Sequence, residues 1–450
     1  MDTLARLTTE DCDVRSSSLD HEVAGASSGL NIRSSALRSN RASVDPSGPE
    51  AVNHVSSLNV ALLTGGSDKP YAVGIATALS SARVSVDFIG SNELDIAELH
   101  NLPQLRFLNL RGDQSPKASL SSKITRLARY YWRLIGYAAT ARPRIFHILW
   151  DNKFEFIDRV LLMVYYRLLG RKIVLTAHNV NIRKRDNCDT WFNRLSLRTQ
   201  YHLADHIFVH TERMKDELLA EFGVPKNKTS VIPFGINHTV KNSGMTTVDA
   251  KKILGIRSSD KAVLCFGQIA PYKGLEYLID AFRELSKRNE GYRLIIAGNV
   301  KKGQGKYWNE IRGKIAASEI QNQIIERIEH IPDEEVELYF KAADVLIVPY
   351  VHIFQSGVPF LAYSFGLPVI ATDVGSLRED IVEGRTGFVC QPQDSSDLAR
   401  TIDKYFESEL FRDLENRRSK IKEYANERYS WSKVAAITTA VYSNLLSSCR

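Results

Sequence analysis

The sequence predicts two doubly wound α/β domains facing each other across a cleft. Three observations predict them. Short apolar, β-branched runs alternate with amphipathic stretches in two blocks, the pattern of buried parallel strands joined by helices. A polar, poorly patterned segment, Asn237 to Val248, lies between the blocks. Glycine-bearing turns follow several of the runs directly, which puts backbone N–H groups at the carboxyl edge of a sheet, where such folds bind ligands. The predicted boundaries are a disordered tail at 1–55, an N-terminal domain at 56–240, a C-terminal domain at 250–425, and a last helix at 426–450 packing back towards the N-terminal domain.

The first 55 residues are rich in Ser, Arg, Asn and Gly and have little apolar periodicity. Order begins with the strand Leu58 to Thr64. Gly65 and Gly66 follow, then a helix over Tyr71 to Ala82. That turn lacks the full dinucleotide fingerprint, so it gives little support to NAD binding. Further strands are read at Val84–Ile89, Leu105–Leu110 and Ile145–Leu149. Lys123 to Arg142 reads as a helix with Arg126, Arg129 and Arg133 gathered on one face, and Tyr130, Tyr131, Trp132 and Tyr137 among them. A basic helix with interfacial aromatics can lie on a membrane surface. A surface helix whose aromatics face the core is the alternative.

Phe156 to Leu169 reads as an apolar helix stopped by Gly170. The strand Lys172–Thr176 runs straight into His178, just past a strand end. Arg194–Leu203 is a helix, His206–His210 a strand, and Thr211-Glu212 opens another helix. Val231–Gly235 ends the first block.

The second block starts with the strand Ala262–Phe266 and the loop Gly267–Gly274. A helix over Leu275–Ser286, a strand at Leu294–Gly298, a helix over Tyr307–Ser318 and a strand at Ile325–Ile331 follow. Then come a helix over Asp333–Lys341 and a strand at Val345–Pro349. In Pro349 to Asp380, Ser356-Gly357 opens a short helix, with Pro359 in its first turn. Gly366 closes the helix, and Val369-Ile370-Ala371 is the next buried strand. Gly387–Cys390 is a last strand, Ser395–Leu410 a capped helix, and a helical pattern persists from Leu414 to Leu446.

Composition fits this plan. Over 450 residues, 44% hydrophobic and 25% charged content are ordinary for a globular protein with a large core. A net charge of +7 suits anionic partners such as phosphorylated substrates or a membrane face. The basic residues form no continuous patch, so nucleic acid is not an expected partner. Five scattered cysteines without CxxC spacing point to a reducing cytosol, and no run reaches the length of a membrane span.

The segments GQIAPYKGLEYLIDAF (267–282), LIIAG (294–298) and Pro349 to Asp380 resemble the C-terminal half of GT-B glycosyltransferases of the retaining family four. LTAHNV (175–180) resembles that family's N-terminal half, and VIPFGIN (231–237) resembles the stretch before its interdomain linker. The resemblance implies two Rossmann-like domains, with a UDP- or GDP-sugar bound mainly by the second and the acceptor mainly by the first. It implies hexosyl-type transfer with retention at the anomeric carbon, no obligatory metal and no cofactor. Lys273 matches the lysine that grips the donor diphosphate, and Ser356, Gly357 and Val358 match the phosphate-cradling loop. His178 matches the histidine near the transferred sugar. Glu379 matches the acid after the glycine loop, and Gly65 and Gly66 match the first-domain glycine turn. A fixed cation at the leaving diphosphate makes chemical sense, because negative charge grows there in the transition state.

Two departures stand out. Gln268 occupies the place of an arginine usual after the loop's first glycine, and Ile353 and Leu361 occupy the places of two glutamates. The Gln355-Ser356-Gly357-Val358 version, with the PYKG loop, resembles a variant associated with bacterial surface-polysaccharide transferases. The expected reaction is sugar transfer from a nucleoside diphosphate to a glycan or lipid-linked sugar, in the cytoplasm and at the inner face of the membrane. A catalytically degenerate scaffold and a nucleotide-sugar epimerase are the alternatives.

Overall fold

The computed structural model describes residues 58–447 apart from 66–67, 116–118, 153, 186–187, 237–239, 241–242 and 354. The predicted tail and Gly66 lie outside the described residues. Two sheets, parallel throughout, form the molecule, as the sequence predicts. The first contains β1 (Asn59–Leu63), β2 (Ser85–Gly90), β3 (Leu105–Asn109), β4 (Ile145–Ile148), β5 (Lys172–Thr176), β6 (His206–Val209) and β7 (Thr229–Val231) in the order β3-β2-β1-β4-β5-β6-β7. The second contains β8 (Lys261–Phe266), β9 (Tyr292–Ala297), β10 (Ile324–Arg327), β11 (Val345–Val348), β12 (Val369–Thr372) and β13 (Gly387–Cys390) in the order β10-β9-β8-β11-β12-β13. In each sheet the strand order reverses beside the first strand, between β1 and β4 and between β8 and β11. The loops leaving those strands diverge and open a crevice.

The principal helices of the first domain are α1 (Lys69–Ser81), α2 (Leu120–Thr140), α3 (Met163–Leu168), α4 (Trp191–Leu203) and α5 (Glu212–Phe222). Alternate residues of β1 divide between two cores. Val60 and Leu62 pack on one face of the sheet, Ala61 and Leu63 on the other. In the second domain, α6 (Thr247–Ile253), α7 (Leu275–Arg288), α8 (Gly305–Ala316), α9 (Asp333–Ala342), α10 (Val358–Ser364) and α11 (Ser395–Glu407) surround a single core. Leu264, Ile295, Leu346 and Ile370 are each fully buried there. Each such side chain contributes about 1.5–3 kcal/mol of burial.

Several elements differ from the sequence reading. The segment preceding α3 is wound as a π-helix over Ile157–Leu162. This puts Asp158 and Arg159 inside together: Asp158 accepts from the Tyr131 hydroxyl at 3.0 Å, and Arg159 pairs with Asp151 at 3.0 Å and Glu155 at 2.9 Å. The polar segment after Val231 ends in α6, whose cap Thr246 accepts from the Asp249 N–H. The helical pattern from Leu414 is two helices, α12 (Leu414–Arg428) and α13 (Trp431–Ser447), broken at Tyr429-Ser430.

After that break, α13 packs on α1 of the first domain. Val434 and Tyr442 are buried there, and the Tyr442 hydroxyl lies 2.6 Å from His147 Nδ1. The two crossings between domains run side by side: the Ile236 N–H donates to the Tyr429 carbonyl at 3.0 Å, and the Trp431 indole donates to the Ile236 carbonyl at 3.0 Å.

Candidate active site

Loops at the carboxyl ends of the two sheets build the site. On the first domain, Gly65 turns the chain out of β1 with φ +59, a left-handed conformation that glycine adopts freely. A Cβ there would lie 2.3 Å from the Trp150 carbonyl oxygen, so the turn can only press against the β4 loop if the residue is glycine. Trp150 in turn lies flat on His178, with ring centroids 4.2 Å apart and planes 2° apart. Tyr71 meets His178 edge-on at 4.6 Å.

His178 and His210 leave the ends of β5 and β6. His210 Nδ1 lies 3.2 Å from the Ile232 carbonyl, and His210 Nε2 lies 2.9 Å from His178 Nδ1. A carbonyl only accepts, so His210 carries its proton on Nδ1 and accepts at Nε2. His178 then donates from Nδ1, which leaves His178 Nε2 as a bare acceptor. That nitrogen has no protein hydrogen bond among the described residues, although His178 is only 9% exposed. Burial pushes the His178 imidazole well below its ordinary range; His210 and His147 add to this, and the Leu149 carbonyl opposes it. Burial also lowers His210 to about 4. The pair is neutral near pH 7, and the His178 Nε2 lone pair is buried without a partner among the described residues.

On the second domain, the β8 loop carries Lys273 into a one-turn helix, Pro271–Lys273. Gly274 follows with φ +64, and a Cβ on it would lie 2.1 Å from the Pro349 carbonyl oxygen. This close approach joins the β8 loop to the β11 loop. Lys273 Nζ donates to the Tyr350 hydroxyl at 2.9 Å, and that hydroxyl lies 3.4 Å from Ser356 Oγ. Ser356 Oγ accepts from the Val358 N–H at 3.4 Å, at the start of α10. A Cβ built on Gly267 would lie 3.3 Å from Lys273 Nζ and 3.7 Å from Val358 Cγ2, so these three groups converge. Burial works against the Lys273 charge, yet the Tyr350 and Tyr272 oxygens outweigh it and hold the ammonium above lysine's ordinary range. Among the described residues Lys273 has no carboxylate partner.

Helix α10 has seven residues and no side-chain cap at Gly357. Its dipole is therefore short, and side-chain cations carry more of any anion grip. Gln355 accepts from the Ser376 hydroxyl at 2.7 Å, which ties the cradle to the loop after β12. Gln268 is half-buried in the β8 loop. Glu379 sits in the turn Leu377–Asp380; burial raises its pKa, and the Arg213 backbone N–H at the start of α5 opposes the shift. Glu379 thus reaches across to the first domain. Phe234 joins the two halves. It stacks on Phe360 of α10 at 5.4 Å, meets the His210 ring at 5.0 Å, and lies 3.7 Å from a Cβ built on Gly357.

Tyr350, Phe234, Trp150 and His210 were not singled out from the sequence. His210 carries the same signal as His178, a histidine at a strand's carboxyl end. Lys301, which the sequence shows beside Lys302 at a glycine-bearing loop, also lies here. It follows β9, its N–H donates to the Ile269 carbonyl at 2.9 Å, and its Nζ lies 5.6 Å from the Tyr272 ring centroid. It stands beside the loop that carries Gln268.

Solved structures share this architecture. Sucrose-phosphate synthase from Thermosynechococcus elongatus superposes with a TM-score of 0.69 at 19% identity, covering 87% of this chain and 100% of that one. Anabaena HepE, solved with UDP and glucose, superposes at 0.66 and 18% identity over 86% of this chain and 100% of that one. The fold is that of the GT-B glycosyltransferases. Sequence families divide along the same seam: residues 70–240 match the family model Glycosyltransferase Family 4, and residues 248–428 match Glycosyl transferases group 1. An uncharacterized glycosyltransferase of Methanocaldococcus jannaschii is 26% identical over 52% of this GT-B chain and 58% of its own. The D-inositol 3-phosphate glycosyltransferase of Corynebacterium glutamicum is 24% identical over 84% of this chain and 91% of its own. The matches span a little over half the length of the first two relatives, 58% and 56%.

Proposed function

We propose that the protein transfers a sugar from a UDP- or GDP-sugar to a glycan or lipid-linked sugar acceptor with retention of configuration. The observation that carries this reading is Lys273, a half-buried cation with no carboxylate partner among the described residues, held by Tyr350 above the Ser356 turn. A charge left unneutralised at a sheet's carboxyl edge fits a diphosphate. Lys301 stands where it can add a second positive charge in place of the arginine that Gln268 replaces. The donor sugar then lies towards Phe234, with His178 Nε2 accepting from one of its hydroxyls. An acceptor hydroxyl attacks the anomeric carbon from the face that the diphosphate leaves: the new C–O bond forms as the sugar–phosphate bond breaks, the hydroxyl proton passes to the departing phosphate oxygen, and Lys273 stabilises the negative charge that grows there. Gly65, Gly357, Val358 and Glu379 shape the surrounding walls.

Lys273→Ala tests this. Turnover should fall about 10²–10³-fold, and the stabilisation of the protein by UDP or GDP should disappear while the unfolding midpoint without ligand stays put. Unchanged turnover overturns the reading. One observation favours a scaffold instead: Ile353, at a usual glutamate position, is buried in the core of the second domain and cannot reach a donor. Lys273-dependent hydrolysis of a nucleotide-sugar by the pure protein would exclude that alternative.

A further inference from the structure

The helices α2, π/α3 and α4 form one outer face of the first domain, and that face is unusually apolar. All but Val248 and Ile253 of the exposed large apolar side chains among the described residues lie on these helices or on the segment leading into π/α3. Leu168 is 81% exposed, Trp132 79% and Trp191 75%. The patch is continuous. Tyr131 of α2 stacks on Phe154 at 6.3 Å, Phe156 stacks on Phe192 of α4 at 5.6 Å, and Phe192 meets Trp191 edge-on at 5.9 Å. Between α2 and the π-helix runs an apolar groove of about 540 Å³, lined by Ile124, Leu127, Tyr131, Ile135, Phe154 and Leu161 among others. Soluble proteins seldom expose so much contiguous apolar surface without an occupant.

Charge identifies the occupant. Helix α2 carries Lys123, Arg126, Arg129 and Arg133 and no acidic residue, and α4 carries Arg194 and Arg198 and no acidic residue. Arg126 faces Asp113 at 3.7 Å, and Arg194 pairs with Asp189 at 2.6 Å. Arg129, Arg133 and Arg198 are exposed and have no ion pair among the described residues. Arg129 and Arg133 lie one turn apart on one side of α2, next round the helix from Trp132, so they border the apolar stripe on that side. Tryptophans and leucines bordered by unpaired arginines match the boundary between acyl chains and anionic headgroups.

We infer that this face docks on an anionic lipid bilayer, with Trp132, Trp191 and Leu168 in the acyl boundary and a lipid hydrocarbon chain in the groove. Among the described residues no helix is long and apolar enough to cross a membrane, so the contact is with one leaflet. The inference goes beyond the transfer reaction and does not depend on it.

The test is flotation of the full chain with vesicles of phosphatidylcholine alone and of phosphatidylcholine with phosphatidylglycerol, at low and high salt. Binding to the anionic vesicles should exceed binding to the neutral ones and weaken with salt. The tryptophan emission should shift to the blue on binding. Arg129→Gln/Arg133→Gln should weaken binding about tenfold or more. Trp132→Ser/Trp191→Ser should weaken it at both salt levels and abolish the blue shift. These four side chains are exposed, so unfolding midpoints and stabilisation by nucleotide should match the wild type. Absence of binding to anionic vesicles at low salt overturns the inference, and so does unchanged binding of the tryptophan variant. A dimer seen by sedimentation and dispersed by Trp132→Ser would also overturn it, assigning the face to a second copy of the chain.

Discussion

Lys273 Nζ lies 2.9 Å from the Tyr350 hydroxyl and 4.8 Å from the centroid of the same ring. The tyrosine thus orients the ammonium without neutralising it. A carboxylate at that position would cancel the charge that a diphosphate needs. Tyr350→Phe should keep the cation over the ring but remove the hydrogen bond. Affinity for UDP or GDP should fall by about 0.5–1.5 kcal/mol, a few-fold, by titration calorimetry. An unchanged affinity would mean that the hydroxyl does not position the lysine.

Lys301 carries a second prediction. If it supplies the second cation, Lys301→Ala should weaken nucleoside diphosphate binding by about 1.5–3 kcal/mol, the range for a hydrogen bond to a charged group. Gln268→Arg should then recover much of the loss in the Lys301→Ala background, because both side chains leave adjoining loops. Loss without recovery would place Lys301 elsewhere than on the phosphates.

The histidine pair has an order. His178→Ala removes the buried, unpaired acceptor, while His210→Ala leaves that ring in place but frees its tautomer. Turnover should fall about tenfold or more in the first variant and by less in the second. Equal turnover in both variants and the wild type would exclude a role for His178 Nε2.

Acid should act through buried imidazoles. Burial lowers His147 to about 3, with His206 adding to the shift, and its ordinary value is 6.5. Above pH 6.5 the ring is neutral in both states. As pH falls, the unfolded chain takes up the proton first, so this group's share of stability is lost between those two values. Asp158 and Asp380, raised to about 7 mainly by burial, have the opposite sign and gain stability for the fold as pH falls. The informative quantity is therefore a difference. In urea unfolding between about pH 6 and about pH 4, His147→Gln should lower the slope of stability against pH by about 1.4 kcal/mol per unit. An unaltered slope would show that His147 is protonated alike in both states.

Much of the fold was readable because buried parallel strands write themselves as short apolar runs, such as Val345–Val348 and Val369–Thr372. His178 was readable for a related reason: it sits just beyond such a run, where open sheets present ligand-facing groups; Lys273, well past the end of β8, was singled out only by its match to the family motif. Tyr350 lay inside a stretch that had already been marked, yet its part depends on a loop 77 residues away in sequence. Nothing local announces that meeting. Phe234 reads as the last apolar residue of a strand end, and only the second domain's Phe360 gives it a stacking partner. The π-winding at Ile157–Leu162 was hidden because its apolar pattern fits an α-helix nearly as well. Ile353 and Leu361 were visible as missing acids. Burial shows that Ile353 has joined the core.

Trp431 stands where the chain returns to the first domain, its indole donating to Ile236 at the other crossing. A Cβ on Gly74 or Gly235 would fall 2.2 or 2.5 Å from its ring, so the indole fills the gap between the first domain and the return segment. Two crossings bonded side by side work like the knuckles of a door hinge. Shearing one half past the other at this point would break both bonds.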